Sequence, residues 1–403
     1  MRFRVHSTSL LLVLIASLFC SSTVMRAQEL LTPQTDKQKR HEIRDRIWER
    51  GIEPNQYLDL LDGISRMPDE NDGKGHGALM RVTQWEGIGP LAIAQKPGNN
   101  WHGRMKAIRF YPNPVTGNNE MYLGASSGGI WLGNFAGLVR VWTPLSNSLP
   151  NQAVGAFLID SLNPNVIWVG TGDWNRYAGS GLYKTTDRGE TWTNVSLGGY
   201  APRAVTGLEY GTSTSTMYMT TDYGFYRSTN AGATWTTQGP TDMRINGTLE
   251  RMSVDPTDRT KIYIAGQSRI GFYRSVDAGA TFREIDDGMR SLRPASAIIA
   301  VSPSSPNILY AAVSSRDGNV GKLYKSTNRG DRWDSLPDPP EYLHSNQAGN
   351  DHAIAISPTD PNRVYIGGVG LMLTTDGGTT WTMRDAGHSD ITQLAFAPLP
   401  SGQ

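Results

Sequence analysis

Thr185-Thr-Asp-Arg-Gly-Glu-Thr-Trp192 decides the architecture, because the chain repeats it. The further copies are Ser228-Thr-Asn-Ala-Gly-Ala-Thr-Trp235, Ser275-Val-Asp-Ala-Gly-Ala-Thr-Phe282, Ser326-Thr-Asn-Arg-Gly-Asp-Arg-Trp333 and Thr374-Thr-Asp-Gly-Gly-Thr-Thr-Trp381. They recur at intervals of 43 to 51 residues. A period of this length marks a stacked or radial repeat, in which each unit buries its faces against its neighbours.

The phrase has the chemistry of a tight turn. Asp187, Asn230, Asp277, Asn328 and Asp376 are suited to accept hydrogen bonds from backbone N–H groups one and two residues ahead. The glycine two places later supplies a positive φ without a Cβ clash. The Ser or Thr hydroxyl bonds across the turn, and the aromatic opens the next strand, where it wedges between sheets. A calcium loop needs several oxygen ligands from one turn. Here one carboxylate is offered, and two copies replace it with neutral Asn. These five residues are therefore read as structural.

The phrase resembles the Asp-box (BNR repeat), the hairpin signature of sialidases, sortilin-type receptors, family-74 xyloglucanases and photosystem II assembly factors. The resemblance spans residues 85–403 and implies a β-propeller. It is shared by catalytic and non-catalytic families alike. Trp85-Glu-Gly-Ile-Gly-Pro90, Gly103-Arg104 and Gly124-Ala-Ser-Ser-Gly-Gly-Ile-Trp131 are similar to segments of large secreted bacterial propellers of sortilin-like or glycosyl-hydrolase-like type.

From Trp85 onward one unit recurs. An apolar strand ends near Asp-Pro or Ser-Pro, as in Met252-Ser-Val-Asp-Pro256 and Ile299-Ala-Val-Ser-Pro303. A second strand follows, a third leads into the Asp-box turn, and a fourth leaves it. Four antiparallel strands joined by short turns make a propeller blade. Blades are expected to start near 104, 153, 203, 248, 295 and 351, the first with its Asp-box decayed to Gly133-Asn134-Phe-Ala-Gly137. The fold expected is all-β: six complete blades plus one incomplete. Asp390 to Pro398 supplies a lone seventh inner strand, and Trp85 to Pro90 matches a closing outer strand, Trp235 to Pro240. The second and third strands of that blade are not in the sequence, which suggests an N-terminal fragment with further domains following.

Residues 1–27 have the form of a secretory signal peptide: basic Arg2 and Arg4, apolar Leu10 to Cys20, and a small polar exit to Ala27. Residues 28–84 are expected to form a helical arm and linker, with a capping box at Thr35-Asp-Lys-Gln38 and an apolar stripe of Ile43, Ile47 and Trp48. Cys20 is the only cysteine, so the exported chain has no disulfide, thiolate metal site or cysteine nucleophile. Loss of Arg2, Arg4 and Arg26 leaves 35 basic against 37 acidic residues, which gives no reason to expect nucleic acid or an anionic membrane as partner. No other apolar run is long enough to span a bilayer. The expectation is a secreted module, free of cofactor, that binds glycan or protein.

Strand parity puts the Asp-box turns on one face and the candidate chemistry on the other. On that second face lie Ser126 and Ser127, Thr171 to Tyr177, Thr221 to Tyr223, and strand starts at Arg104, Arg203 and His352. Trp174 and Tyr177 suit sugar stacking or peptide capture, with Arg104 and Arg203 as anion-binding groups. Asp173 and Asp222 are the candidate acids of a glycosidase. Asp351, His352, His388 and Asp390 open adjacent blades and would together suffice for a metal site. Resemblance to the xyloglucanases implies a catalytic Asp in the first-blade turn, but Ser126 stands there, and serine is no general acid or base near neutral pH. The sialidase pattern needs an arginine triad and an Arg-Ile-Pro motif. The motif does not occur, although Arg104, Arg203 and Arg251 sit at comparable strand starts.

Overall fold

The computed structural model describes residues 104–113, 119–136, 139–174, 176–199, 202–238, 248–266, 271–289, 296–314, 322–337, 343, 352–384 and 391–397. The expected signal peptide, helical arm and Trp85–Pro90 closing strand fall on residues outside these, as do Asp351, His388 and Asp390.

Six four-stranded antiparallel sheets follow one another along the chain, each with its strands in sequence order. Together they form the blades of a propeller. Their inner strands are Met105–Pro112, Val154–Ile159, Val205–Tyr210, Leu249–Val254, Ser296–Val301 and Ala353–Ile356, so every blade begins within two residues of its expected start. Blade two shows the plan. Val154–Ile159 and Ile167–Thr171 are buried along their whole length, Leu182–Thr185 nearly so, and the outer Thr193–Val195 is short and mostly exposed. Strands sandwiched between two neighbours lose the alternation of a half-exposed sheet and become continuously apolar. In blades two to six the outermost strand, with an unpaired edge, is kept short; in blade four it shrinks to Arg283–Glu284.

The core is divided among the five interfaces between successive blades. Phe157, Tyr122 and Ile130 fill the gap between blades one and two, Met219 and Trp168 that between two and three, and Trp333, Tyr263 and Val313 that between four and five. Asp-box aromatics wedge into these gaps: Trp333 is 1% exposed, and its Nε1–H donates to Ile285 O of the preceding blade at 2.7 Å. Between blades six and one the extended segment Ile391–Ala397 takes the place of an inner strand. Ile391 N donates to Gly368 O at 2.7 Å, Phe396 meets the Tyr365 ring edge-on at 5.8 Å, and the Thr392 hydroxyl donates to Met105 O of blade one.

The Asp-box turns are bonded more tightly than local turn rules suggest. Each Asp or Asn Oδ1 accepts the N–H four residues ahead, at 2.9 Å in all five copies, rather than those one and two ahead. Each Ser or Thr hydroxyl takes the glycine N–H, at 2.8–2.9 Å. The residue before the glycine is itself left-handed: Arg188, Ala231, Ala278 and Arg329 have φ between 55° and 63°, and the fifth copy uses Gly377. That conformation costs an L-residue roughly 1–2 kcal/mol. A long-range bond offsets it. Arg188 N, Ala231 N, Ala278 N and Arg329 N each donate to the turn joining strands one and two of the same blade, at 2.8–2.9 Å.

Blade one departs from the expected decayed turn. Gly133 and Asn134 lie within the continuous third strand, Gly129–Ala136, paired with Val139–Pro144. Gly133 serves packing instead, since a Cβ there would come within 2.8 Å of the Trp142 indole.

Candidate functional site

Both the inner-strand starts and the turns between second and third strands lie opposite the Asp-box turns. Here the inner strands do something the sequence does not announce. In blades one to four the pairing of first and second strands slips by one residue at the same place, and the skipped residues are Lys106, Gly155, Thr206 and Glu250. A bulge re-aims the side chain that it leaves unpaired. All four skipped residues line one cleft at the channel mouth. Gly155 has no side chain to aim because the neighbouring backbone forbids one: a Cβ would lie 2.1 Å from Val205 O.

The cleft is small: only about 490 Å³ is free of protein even when the solvent in its open mouth is counted. It is blind. Deeper in the channel, Arg109 of blade one pairs with Glu209 of blade three at 2.6 Å, and Glu209 also meets Arg259 at 3.2 Å.

Two polar chains meet the cleft. Lys106 Nζ sits 3.2 Å from Asp173 Oδ1, and Asp173 Oδ2 accepts the Ser126 hydroxyl at 2.6 Å. Opposite, the Ser296 hydroxyl donates to Glu250 Oε2 at 2.7 Å and lies 2.8 Å from His352 Nδ1. Ala297 N donates to the same Glu250 oxygen at 2.7 Å. A hydroxyl has one proton to give. Donated to Glu250, it leaves the Ser296 oxygen as the acceptor facing His352 Nδ1. Between the chains lies Arg251, whose guanidinium donates to Gln393 Oε1 at 2.6 Å, Thr392 O at 2.8 Å and His352 O at 3.2 Å. These acceptors are all neutral.

Burial works against both cations. It brings the Lys106 ammonium down to about 8, with Arg104 and Arg251 adding to the effect against the pull of Asp173. The Arg251 guanidinium is also lowered by burial, against Glu250, with Arg104 and Arg109 adding to it. Asp222 lies outside this network. Its Oδ1 accepts Ala204 N at 3.2 Å, and burial raises its carboxyl above the usual range.

A second recess adjoins the cleft through Trp174, which lines both. Tyr177 and Arg176 form its wall with Arg203. The 173–177 loop is a closed turn, with Asp173 N and Tyr177 O paired at 2.9 Å, so Tyr177 stands 47% exposed on a fixed base. Tyr223, 41% exposed, projects from the neighbouring turn beside Asp222.

The sequence candidates thus separate. Asp173 does not line the cleft; it lies beside it, only 1% exposed, held by Lys106 and Ser126. Trp174, Tyr177 and Arg203 meet at the recess. Arg203 is exposed there and does not join Arg104 and Arg251, so the three arginines make no inward triad. His352 is buried, and its Nδ1 is engaged by Ser296; among the described residues no group of three or more His, Cys, Asp or Glu could hold a metal ion. Lys106, Glu250 and Ser296 were not singled out from sequence. Their one signal is polarity at the start of an apolar strand, as in Met105-Lys-Ala-Ile and Leu249-Glu-Arg-Met.

No family model and no curated protein matches the sequence. Solved structures do resemble the fold. A GH74 enzyme from Niastella koreensis aligns with a TM-score of 0.52 at 23% identity, over 70% of this chain and 45% of its own. The extracellular domain of a B. thetaiotaomicron protein assigned to a hybrid two-component system aligns with a TM-score of 0.50 at 12% identity, over 72% and 35%. YCF48 from Cyanidioschyzon merolae gives 0.47 at 15% identity, over 70% and 85%. The chain thus spans less than half the length of the first two. At these identities the likeness shows the fold, a β-propeller, and nothing finer.

Proposed function

We propose that the chain is an exported binding module that engages a saccharide at the face opposite its Asp-box turns, seated on Trp174 and Tyr177 and entering the channel mouth. The observation that carries this is Trp174, one indole shared by a polar cleft and a recess walled by an exposed tyrosine and two arginines. Aromatic faces beside fixed hydrogen-bonding groups suit a sugar ring. A protein partner would need roughly 800 Å² per side with an apolar centre. Among the described residues, Tyr177 and Tyr223 are the large exposed apolar side chains in the turns of this face; Leu162 and Val276 are in turns of the other, and Met383 is on the outermost strand of blade six.

The second reading is a glycoside hydrolase. Asp173 favours it, since it lies within hydrogen-bond reach of Ser126, the position where the resemblance to xyloglucanases implies the acid. Against it, Asp173 is buried and already engaged by a lysine, and Asp222 belongs to a separate turn. Two carboxylates flanking one glycosidic bond are the requirement.

A glycan array read both for retention and for product release separates these readings. Retention without release, lost in Trp174→Ala, is expected. Release of shortened products, abolished in Asp173→Asn, would make the chain an enzyme.

A further inference from the structure

We propose that the recess beside the cleft seats a sulfate or phosphate ester carried by the bound sugar, with the Arg176 and Arg203 guanidinium groups bonding its oxygens. This rests on the saccharide reading and names the class of sugar, one that bears a tetrahedral oxyanion.

The first ground is what the recess holds. Trp174, Arg176, Tyr177, Ala178 and Arg203 line it, which gives two cations and two aromatic rings but no carboxylate. Both arginines are exposed, and among the described residues neither guanidinium has an ion pair or a hydrogen bond. Arginines elsewhere in the ring are spent differently: Arg109, Arg188, Arg259, Arg274, Arg283 and Arg329 each meet a carboxylate. The acids beside the recess are engaged. Asp173 meets Lys106 and Ser126, and Asp222 accepts Ala204 N. Burial raises the Asp222 carboxyl against the pull of Ala204 N and of the Arg203 charge, but no ion pair joins it to Arg203.

The second ground is construction. The loop that bears Trp174, Arg176 and Tyr177 lies directly on the backbone that bears Arg203. Gly172 makes this contact possible, with φ at 100° and a position where a Cβ would come within 2.0 Å of Arg203 O. At the other end of the loop, Gly179 N donates to Arg203 O at 2.6 Å, and a Cβ on Gly179 would come within 2.4 Å of Thr171 O. The Asn151 side chain adds a bond to Ala178 O at 3.0 Å. Beneath the loop, Asp173 is tied to blade one through Lys106 and Ser126. Two arginines from different blades therefore stand on one fixed frame, and a frame set before binding spares the ligand the entropy of ordering it.

The third ground is the shape of the anion. An arginine fork bonds two oxygens of one anion side by side. A carboxylate offers two oxygens in one plane. A sulfate or phosphate ester offers three in a pyramid, which suits two forks arriving from different loops while its sugar lies on Trp174 or Tyr177. Water and salt screen charges at an exposed site, so direct bonds must supply the selectivity.

The test is titration calorimetry of the full chain with cellotetraose, mannotetraose and galactotetraose, each unmodified, 6-O-sulfated and 6-O-phosphorylated. Expected is tighter binding of at least one ester than of its parent by about tenfold or more, the size of one charge-assisted hydrogen bond. That gain should be lost in Arg176→Gln and in Arg203→Gln, and it should shrink as salt is raised. Both side chains are exposed, so unfolding midpoints of the variants should match the wild type; the comparison of ester with parent in the wild type stands in any case. The pH dependence separates the two esters. A gain that grows from pH 5 to pH 7.5, as the second phosphate proton leaves near about pH 6, marks a phosphate site. A sulfate gain that stays flat over the same range marks a sulfate site. Esters that bind no tighter than their parents, or a gain that survives both substitutions, overturn the oxyanion subsite and leave saccharide binding standing. Binding of no oligosaccharide, with capture of a phosphopeptide instead, overturns both.

Discussion

At the Asp-box turns, Asp187 accepts from the hydroxyl and N–H of Thr191 and from the Thr185 hydroxyl, all within four residues. Across the ring, Asp173 is reached by Ser126 and Lys106, which lie in the preceding blade. The first arrangement is local and repeated, and it suits its charge: the Thr185 and Thr191 bonds hold the Asp187 carboxyl down at about 2. The second is assembled from distant strands and works against its charge, as the lowered Lys106 shows. One face is finished scaffold. The other holds polarity that folding alone does not repay, a common mark of a functional site.

The contrast can be broken at its rigid side first. Trp333 fills the gap between blades four and five, with Phe272 at 6.1 Å between ring centres. Trp333→Ala should cost about 3–5 kcal/mol in denaturant unfolding. A loss below about 1 kcal/mol would mean that the Asp-box aromatics are not the wedges described.

The next effect is a pH dependence. Lys106 has a folded pKa near 8 against 10.5 as its ordinary value, so the unfolded chain binds more protons between those pH values. Stability must then rise with pH across that window, and the penalty is full below it. The amplitude is up to about 3 kcal/mol. Unfolding curves of wild type and Lys106→Met at pH 7 to 10.5 should differ in slope over this range. Parallel curves would show that Lys106 is not charged and buried as described.

Smallest is a single turn. Asp277→Ala removes the acceptor of Thr281 N and partners of the Ser275 and Thr281 hydroxyls. By analogy with helix caps it should cost about 0.5–2 kcal/mol, with ligand affinity unchanged. Asp277→Asn should recover most of it, since Asn230 and Asn328 fill the same role.

The two faces were also unequally legible. The Asp-box turns could be read because their bonds are local: Ser, Asp and Gly at fixed spacing imply the loop that they make. Blade starts followed from the same period. The left-handed residue before each glycine was missed, because Arg188 and Arg329 carry no sequence sign of that conformation. The cleft was half legible. Parity put Asp173, Trp174 and His352 on the right face, but Lys106 and Glu250 arrive by bulges, and no residue type specifies a bulge. Arg251 was visible as a strand-start arginine, yet its bonds to Thr392 and Gln393 join positions more than a hundred residues apart, beyond any local rule.

The central claim is that ligand is held on one face and stability on the other. Paired measurement of affinity and unfolding free energy for Trp174→Ala and Asp277→Ala, using a saccharide retained by the wild type, tests it most directly. Trp174→Ala is expected to lose tenfold or more in affinity, and Asp277→Ala to lose stability alone. Unchanged affinity in Trp174→Ala, or a loss in Asp277→Ala that tracks binding rather than unfolding, would contradict it.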